Sequence, residues 1–180
     1  MEENKLKEFE LIKKIQKGNK HAFKTLYDTH SDKIFSLSYR MVNNIHLAEE
    51  ITQEIFVRAW EKINIFKFKS SFYTWLYRLA VNLIIRKRDK INYDREKDSD
   101  VDIEELYKNS GFSESEKVEN WIDYQRALDI LSEQARYVFV LHDVEGLTHK
   151  EIEKITGIAE GTSKAHLFRA RNLLKKELGL

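Results

Sequence analysis

The apolar residues of this chain recur at intervals of three and four along most of its length. In LAEEITQEIFVRAWEKI, which begins at Leu47, the residues Leu47, Ile51 and Ile55 fall on one helical face. The 180 residues include no Pro and only six Gly, so the turn residues that strand-rich folds need are scarce. We therefore expect an all-α fold.

The composition changes between Asp94 and Glu119, where ten acidic residues stand against four basic ones and large apolar residues are few. Such a segment is typical of a flexible linker, with at most a weak helical turn at IEELY. Helical periodicity resumes at Lys117. We predict two small helical domains, residues 1–93 and 117–180, joined by an acidic flexible linker over residues 94–116.

The composition also excludes several kinds of site. There is no Cys, so disulfides, thiolate metal sites and Cys nucleophiles are ruled out. The stretch MEENKLKEFELIKKIQKGNK lacks the apolar run of a signal peptide, and no later segment reaches ~18 uninterrupted apolar residues. We expect a soluble cytoplasmic protein with no membrane insertion, no cofactor, no metal site and no catalytic residues.

The net charge of +1 indicates nothing about binding partners. Partners therefore have to be inferred from the distribution of charge along the chain.

The C-terminal part has the pattern of a helix-turn-helix. Thr148 and Glu151 form a capping-box sequence for a first helix that we predict to run to Thr156, before Gly157. A second helix should begin near Thr162 and turn Leu167, Ala170 and Leu174 inward. Residues 161–180 carry five basic residues and one acidic residue, which suits phosphates while early side chains read bases. A helical hairpin with a solvated basic face fits this pattern equally well.

The stretch SSFYTWLYRLAVNLIIRKRDK combines aromatic residues with positive charge. Residues 62–90 contain eight basic residues and one acidic residue. Stacking on aromatic rings and backbone contacts to cations suit single-stranded DNA, although Phe66, Phe72, Tyr73 and Trp75 can instead fill the core. For Trp75 the core is favoured, because this residue is in register with Leu79 and Leu83. Ser70 or Ser71 is expected to cap the helix. The predicted buried stripe is Trp75, Leu76, Leu79, Ala80 and Leu83, and the predicted polar line opposite it is Arg78, Asn82 and Arg86.

The helix that begins at Leu47 presents an acidic face. Glu50, Gln53, Glu54 and Glu61 lie on the side away from its apolar stripe. This face should repel nucleic acid and indicates either a basic protein partner or simple solvation. The pattern by itself favours solvation.

Taken together, LAEEITQEIFVRAW, FKFKSSFYTWLYRLAVN and VFVLHDVEGLTHKEIEKITGIAEGTSKAHLFRARNLLKKEL resemble the extracytoplasmic-function type of bacterial sigma factor. The resemblance covers both helical parts in the same order and spacing. It implies a transcription initiation factor whose region two binds the β′ clamp helices of core RNA polymerase and melts the minus-ten element of promoter DNA. Region four would hold the β flap and read the minus-thirty-five element. The resemblance also implies an anti-sigma factor as inhibitor.

The resemblance assigns roles to particular residues. Glu50, Gln53 and Glu54 match the positions that face the clamp helices, which reverses the preference for solvation. The minus-ten contacts would be made by a capture loop over residues 67–71, with Lys67, Lys69, Ser70 and Ser71, and by Arg78, Asn82 and Arg86. The minus-thirty-five contacts would be made by Thr162, Ser163, Lys164, His166, Arg169 and Arg171.

The chain departs from the family pattern at a few positions. Phe68 stands where Gly is usual, which predicts a stiffer capture loop that accepts a different base. Leu131 and Ser132 replace a Leu-Pro pair, with little expected effect. GTSKAH replaces GTVKSR, so Ser163 takes the place of a buried Val and His166 the place of an Arg. Because Arg pairs bidentately with guanine and His does not, we expect an altered upstream specificity.

The sequence also bears on two other classes of protein. A self-contained helix-turn-helix regulator would explain the C-terminal pattern, but it leaves the acidic face and SSFYTWLYRLAVN unexplained. A helical enzyme has no support, because the six His residues form no HExxH or Glu-x-x-His site and there is no phosphate-binding Gly loop. His142 beside Asp143 is read as a surface or interhelix pair.

Overall fold

The computed structural model of the chain describes residues 2–94 and 127–178, and all of their regular structure is helical. This confirms the all-α expectation. Nearly all of the predicted linker lies outside the described residues. The described helices are α1 (Glu2–Gln16), α2 (Lys20–Val42), α3 (Ile45–Lys62), α4 (Phe72–Asp94), α5 (Glu133–Phe139), α6 (His149–Thr156) and α7 (Glu160–Glu177), with a 3₁₀ turn at Ile63–Ile65 and a π-helical turn at Val140–Val144.

Asparagine and serine side chains set the helix boundaries of the N-terminal group. Asn19 and Asn44 accept hydrogen bonds from backbone N–H groups at the starts of α2 and α3. Asn43 ends α2 in the left-handed conformation, which Asn tolerates better than most residues. The Ser71 Oγ accepts from the N–H of Thr74 at 3.1 Å, so Ser71 is the cap of α4, as one of the two predicted candidates.

The core of the N-terminal group is formed by one face each of α1 to α4. Ile51 and Ile55 of α3 are fully buried, as the periodicity predicted, whereas Leu47 on the same face is only partly buried. The prediction for α4 is partly wrong: Leu76 and Ala80 are fully buried, but Trp75, Leu79 and Leu83 are only partly buried. The fully buried stripe of α4 consists of Phe72, Leu76, Ala80, Val81 and Ile84.

The C-terminal group consists of α5, α6 and α7. Thr148 and Glu151 form the predicted capping box, and Gly157 ends α6 with a φ of 75°. Helix α7 begins at Glu160, two residues before the predicted start, and its N-cap Ala159 provides no side-chain hydrogen bond. The predicted inner stripe is confirmed, because Leu167, Ala170 and Leu174 are all buried. No helix in the described ranges has the length and apolarity to span a membrane.

The two groups touch each other through α2 with α5 and α4 with α6. Arg40 of α2 donates from Nη1 to the carboxylate of Glu145 at 3.1 Å, and the two side chains are 22% and 16% exposed. Burial raises the pKa of Glu145 above its ordinary value, although Arg40 acts to lower it. The amide of Asn43 donates to the carboxylate of Asp129 nearby. At the contact between α4 and α6, Arg78 of α4 lies beside α6.

Removal of the Arg40 cation should loosen this contact. In Arg40→Gln the mostly buried carboxylate of Glu145 loses its charged partner, at a cost on the order of 1–3 kcal/mol. Because the chain has no Cys, the exposed positions Lys24 and Lys175 can be changed to Cys and labelled with a dye pair. We expect lower energy transfer in Arg40→Gln than in the labelled parent.

The matched control is Lys20→Gln, which removes a positive charge from an exposed position of the same helix. Its energy transfer should equal that of the parent. Equal transfer in Arg40→Gln and the parent would show that the ion pair does not hold the two groups together.

Candidate functional site

The acidic face of α3 is joined to α4 by one lysine. Lys87 Nζ lies 2.5 Å from a carboxylate oxygen of Glu54 and 2.9 Å from one of Glu50. Burial by itself lowers the pKa of Lys87, but the hydrogen bonds that it donates to Glu54 and Glu50 outweigh burial and raise it. Gln53 is exposed between them. The structure thus brings the three predicted polymerase-facing residues onto one surface and adds Lys87, which the sequence pattern did not connect to them.

The predicted capture loop alternates between inward and outward side chains. Phe66 is buried and Phe68 partly buried, whereas Lys67, Lys69 and Ser71 are exposed. Phe68 has a φ of 57°, in the left-handed region. This conformation costs a non-glycine residue on the order of 1–3 kcal/mol and persists only where the surroundings hold it. The loop therefore presents its two lysines beside the ring contact between Phe66 and Phe68, while the Ser71 hydroxyl caps α4.

Helix α4 combines its polar line and its aromatic residue in a single groove. Arg78, Asn82 and Arg86 were predicted to lie opposite Trp75 and Leu79, but they line the same groove, of about 550 Å³, between α3 and α4. The reason is that Phe72, Leu76 and Ala80 occupy the core, which turns the partly buried Trp75 toward the groove. A groove lined by an aromatic ring and several basic side chains, with Glu54 as the one carboxylate that the described residues place there, suits an unpaired nucleic-acid strand.

Most of the residues of α7 that are predicted to contact DNA are exposed. Thr162, Lys164, Arg169 and Arg171 are exposed, and His166 is partly buried. Two of the cations have acidic partners within the chain. Lys164 bonds Glu160 at 2.6 Å, and Arg171 forms two hydrogen bonds to the carboxylate of Asp143 at 2.6 and 2.8 Å.

Ser163 does not lie with the exposed residues. It is fully buried, and its Oγ lies 2.9 Å from Nδ1 of His149. The ring of His149 stacks on His142, with centroids 4.4 Å apart. We therefore remove Ser163 from the DNA-contacting set and assign it to the packing of α6 on α7.

His142 and Asp143, which are neighbours in the sequence, have different main partners. Asp143 pairs chiefly with Arg171, whereas His142 Nδ1 donates to the carbonyl of Leu147 at 2.6 Å.

Two ion pairs at the candidate site could not be found from sequence spacing. The Lys87–Glu50 bond joins residues 37 positions apart, and the Arg171–Asp143 bond joins residues 28 apart. Within the described ranges, no three His, Cys, Asp or Glu side chains are grouped to hold a metal ion.

Two family models match the chain. The model described as Sigma-70 region 2 matches residues 26–92, and the model described as Sigma-70, region 4 matches residues 122–174. The ECF RNA polymerase sigma factor SigW of Bacillus subtilis is 35% identical over 178 residues, covering 93% of this chain and 94% of that protein. The chain belongs to the ECF RNA polymerase sigma factors. Its function is that of an alternative sigma factor in transcription initiation.

Further relatives extend the comparison. The ECF RNA polymerase sigma-E factor of Escherichia coli K12 is 30% identical over 183 residues, covering 93% of this sigma factor and 92% of that protein. The fold is similar to that of the sigma factor RpoE in complex with the anti-sigma factor NepR from Bartonella quintana, with a TM-score of 0.60, 23% identity and coverage of 88% and 97%. It is also similar to CnrH in complex with the cytosolic domain of CnrY, with a TM-score of 0.56, 21% identity and coverage of 96% and 97%.

The packing of α6 on α7 should weaken in acid. The pKa of His149 is lowered by burial and then by His142, Lys164 and Arg171, with Glu160 opposing. The unfolded chain therefore takes up a proton at His149 first as pH falls through about 6.5, and the stability contributed by the neutral ring is lost below that pH.

We expect the midpoint of thermal unfolding to fall by less between pH 7.5 and pH 5.5 in His149→Gln than in the parent. Circular dichroism provides the measurement. His21→Gln, at an exposed position of α2, should retain the full pH dependence of the parent. A pH dependence that is unchanged in His149→Gln would refute the assignment.

Proposed function

We propose that this sigma factor binds core RNA polymerase through Glu50, Gln53 and Glu54 and opens the minus-ten element with the capture loop and the groove of α4. Helix α7 reads the minus-thirty-five element. The observation that carries the proposal is the groove in which Trp75 lies beside Arg78, Asn82 and Arg86, on a helix that also contacts the acidic face of α3. In this proposal α4 contributes both to the surface that binds polymerase and to the groove that binds DNA.

The acidic face is suited to a basic protein surface such as we propose for the β′ clamp helices. Glu50 is 65% exposed, so a partner can approach its carboxylate without much rearrangement. Glu54 is 30% exposed and bonded to Lys87, so an incoming cation would share this carboxylate or displace Lys87 from it. Lys87 thereby lowers the net negative charge that the polymerase meets.

The groove and the loop suit a melted strand. Extruding a base from the duplex costs a few kcal/mol, and stacking on an aromatic ring returns about 1–3 kcal/mol per base. We propose that Lys67, Lys69, Ser70 and Ser71 hold the captured nucleotide while Arg78, Asn82 and Arg86 follow the backbone. Because α6 lies beside Arg78, the two helical groups would have to separate before the strand could pass along α4.

Helix α7 is proposed to place Thr162, Lys164, His166, Arg169 and Arg171 at the minus-thirty-five element. The Arg171 guanidinium is already held by Asp143, which orients it but neutralises part of its charge. Lys164 is likewise paired with Glu160. Phosphate binding by these two cations therefore has to compete with an internal carboxylate.

The remaining parts of the proposal rest on family membership. We propose domain limits of 1–93 for region 2, 94–116 for the linker and 117–180 for region 4, with region 4 holding the β flap. An anti-sigma factor is proposed as the inhibitor, and the cytoplasm as the place of action. We propose that the sigma factor performs no catalysis of its own.

Transcription by bacterial core RNA polymerase from a genomic promoter library tests the function. With the purified chain added, we expect a defined set of start sites that core polymerase alone does not use. Glu50→Gln and Gln53→Ala should weaken core binding, measured by fluorescence anisotropy, by roughly tenfold, in line with the loss of about 1.4 kcal/mol.

Two further variants control this experiment. Glu49→Gln removes the same charge from an exposed position on the same helix, to one side of this face, and should leave core binding unchanged. Lys87→Gln should tighten core binding at low salt, because the acidic face regains negative charge. Absence of any chain-dependent start site would contradict the proposed function.

His166 provides a separate prediction about promoter choice. A histidine cannot form the bidentate pair that Arg makes with guanine, a pair worth about 1–3 kcal/mol of discrimination. Selection of bound promoters from a random library should yield an upstream consensus for the parent that differs from the one selected by His166→Arg. We expect added guanine preference in the variant; identical consensus sequences would contradict the role of His166.

A further inference from the structure

The capture loop is attached to helix α1 at three places. Gln16 donates from Nε2 to the carbonyls of Ile63 and Phe66 at 2.9 and 3.2 Å, before the loop. Glu8 accepts from the N–H of Phe72 at 3.1 Å, directly after the loop. Between these points, the ring of Phe9 lies 4.6 Å from that of Phe68, measured between centroids.

Phe68 is the central point of this attachment. Its ring contacts Phe66 at 5.0 Å as well as Phe9, and Lys13 Nζ lies 5.1 Å from its ring centroid. In the described ranges, the other non-glycine residue with a positive φ is Asn43, a residue type that adopts this conformation readily. Phe, unlike Asn, does not adopt a positive φ readily, so the ring contacts have to hold the backbone of Phe68 in place.

We propose that Phe9 and Phe68 form a brace that presets the capture loop before DNA arrives, and that this brace determines how selectively the loop accepts an unpaired base. The inference rests on the proposed function and deepens it. A loop ordered during folding loses less conformational freedom on binding, and it adjusts less to a base of the wrong shape. Phe9 and Phe68 are therefore positioning residues, and the exposed Lys67, Lys69 and Ser71 contact the nucleotide.

The free protein provides a test that needs no DNA. Amide hydrogen exchange at Phe66 and Phe72, whose N–H groups donate to Ile63 and to Glu8 on either side of the loop, should become faster in Phe9→Ala, because the loop loses the ring that holds Phe68. Leu6→Ala, at a position of α1 that is 61% exposed, should leave this exchange unchanged. Unchanged exchange in Phe9→Ala would overturn the brace.

Selectivity is tested with the full chain bound to core polymerase. The holoenzyme selects sequences from a randomised single-stranded DNA library, and dissociation constants are then measured for the best oligonucleotide and for its versions with each base replaced. In Phe9→Ala and Phe68→Gly, the ratio between the best and the worst base at the most selective position should fall roughly five- to tenfold. Phe9→Tyr, which retains the ring, should restore the parent ratio, and Leu6→Ala should not change it.

The two aromatic residues should also act as one unit. The double variant Phe9→Ala with Phe68→Gly should discriminate no worse than Phe68→Gly alone, because that variant already removes the contact between the two rings. Ratios within twofold of the parent in both single variants would overturn the inference while the proposed function stands. A parent holoenzyme that selects no sequence would instead contradict the proposed function itself. If Phe9→Ala fails to fold, Phe68→Gly decides the outcome, because it removes the ring and relieves the backbone strain together.

Discussion

The packing of one face of α4 into the core is the constraint on which the rest of the molecule depends. Phe72, Leu76, Ala80 and Ile84 have no measurable exposure, so the rotation of α4 about its axis is fixed. Truncating a residue such as Leu76 to Ala would cost about 2–5 kcal/mol. With this rotation, Arg78, Asn82 and Arg86 lie along a groove that Trp75 also lines. A rotation by one residue would carry cations into the core, where unpaired charge is costly.

The same rotation determines how the charged surfaces of a nearly neutral chain are divided. Lys87 turns toward α3 and joins Glu50 and Glu54, while Arg78 and Arg86 line the groove. A basic groove for a polyanion and an acidic surface for a protein thus lie on neighbouring helices, and they meet at the ion pair between Lys87 and Glu54. The net charge of +1 conceals this division.

Sequence reasoning succeeds where the physics is local and fails where distant segments meet. The Thr148 capping box, the Gly157 helix end and the Ser71 cap each involve residues at most a turn apart, and all three were predicted correctly. The buried face of α4 was misjudged because apolar residues surround much of the helix, so periodicity alone leaves its rotation open. The bond between His149 and Ser163 spans 14 residues and depends on the packing of α6 on α7. Phe68 stood out in the sequence, but its partner Phe9 did not, because only tertiary packing brings α1 to the loop.

The most direct test of the account is the reactivity of thymines toward permanganate, which modifies unpaired thymines, on a promoter selected by the parent holoenzyme. Parent holoenzyme should make thymines of the minus-ten element reactive. A holoenzyme carrying Arg78→Ala, Asn82→Ala and Arg86→Ala should still assemble and bind the upstream element but leave these thymines unreactive. Equal reactivity in both holoenzymes would contradict the claim that the groove of α4 holds the opened strand.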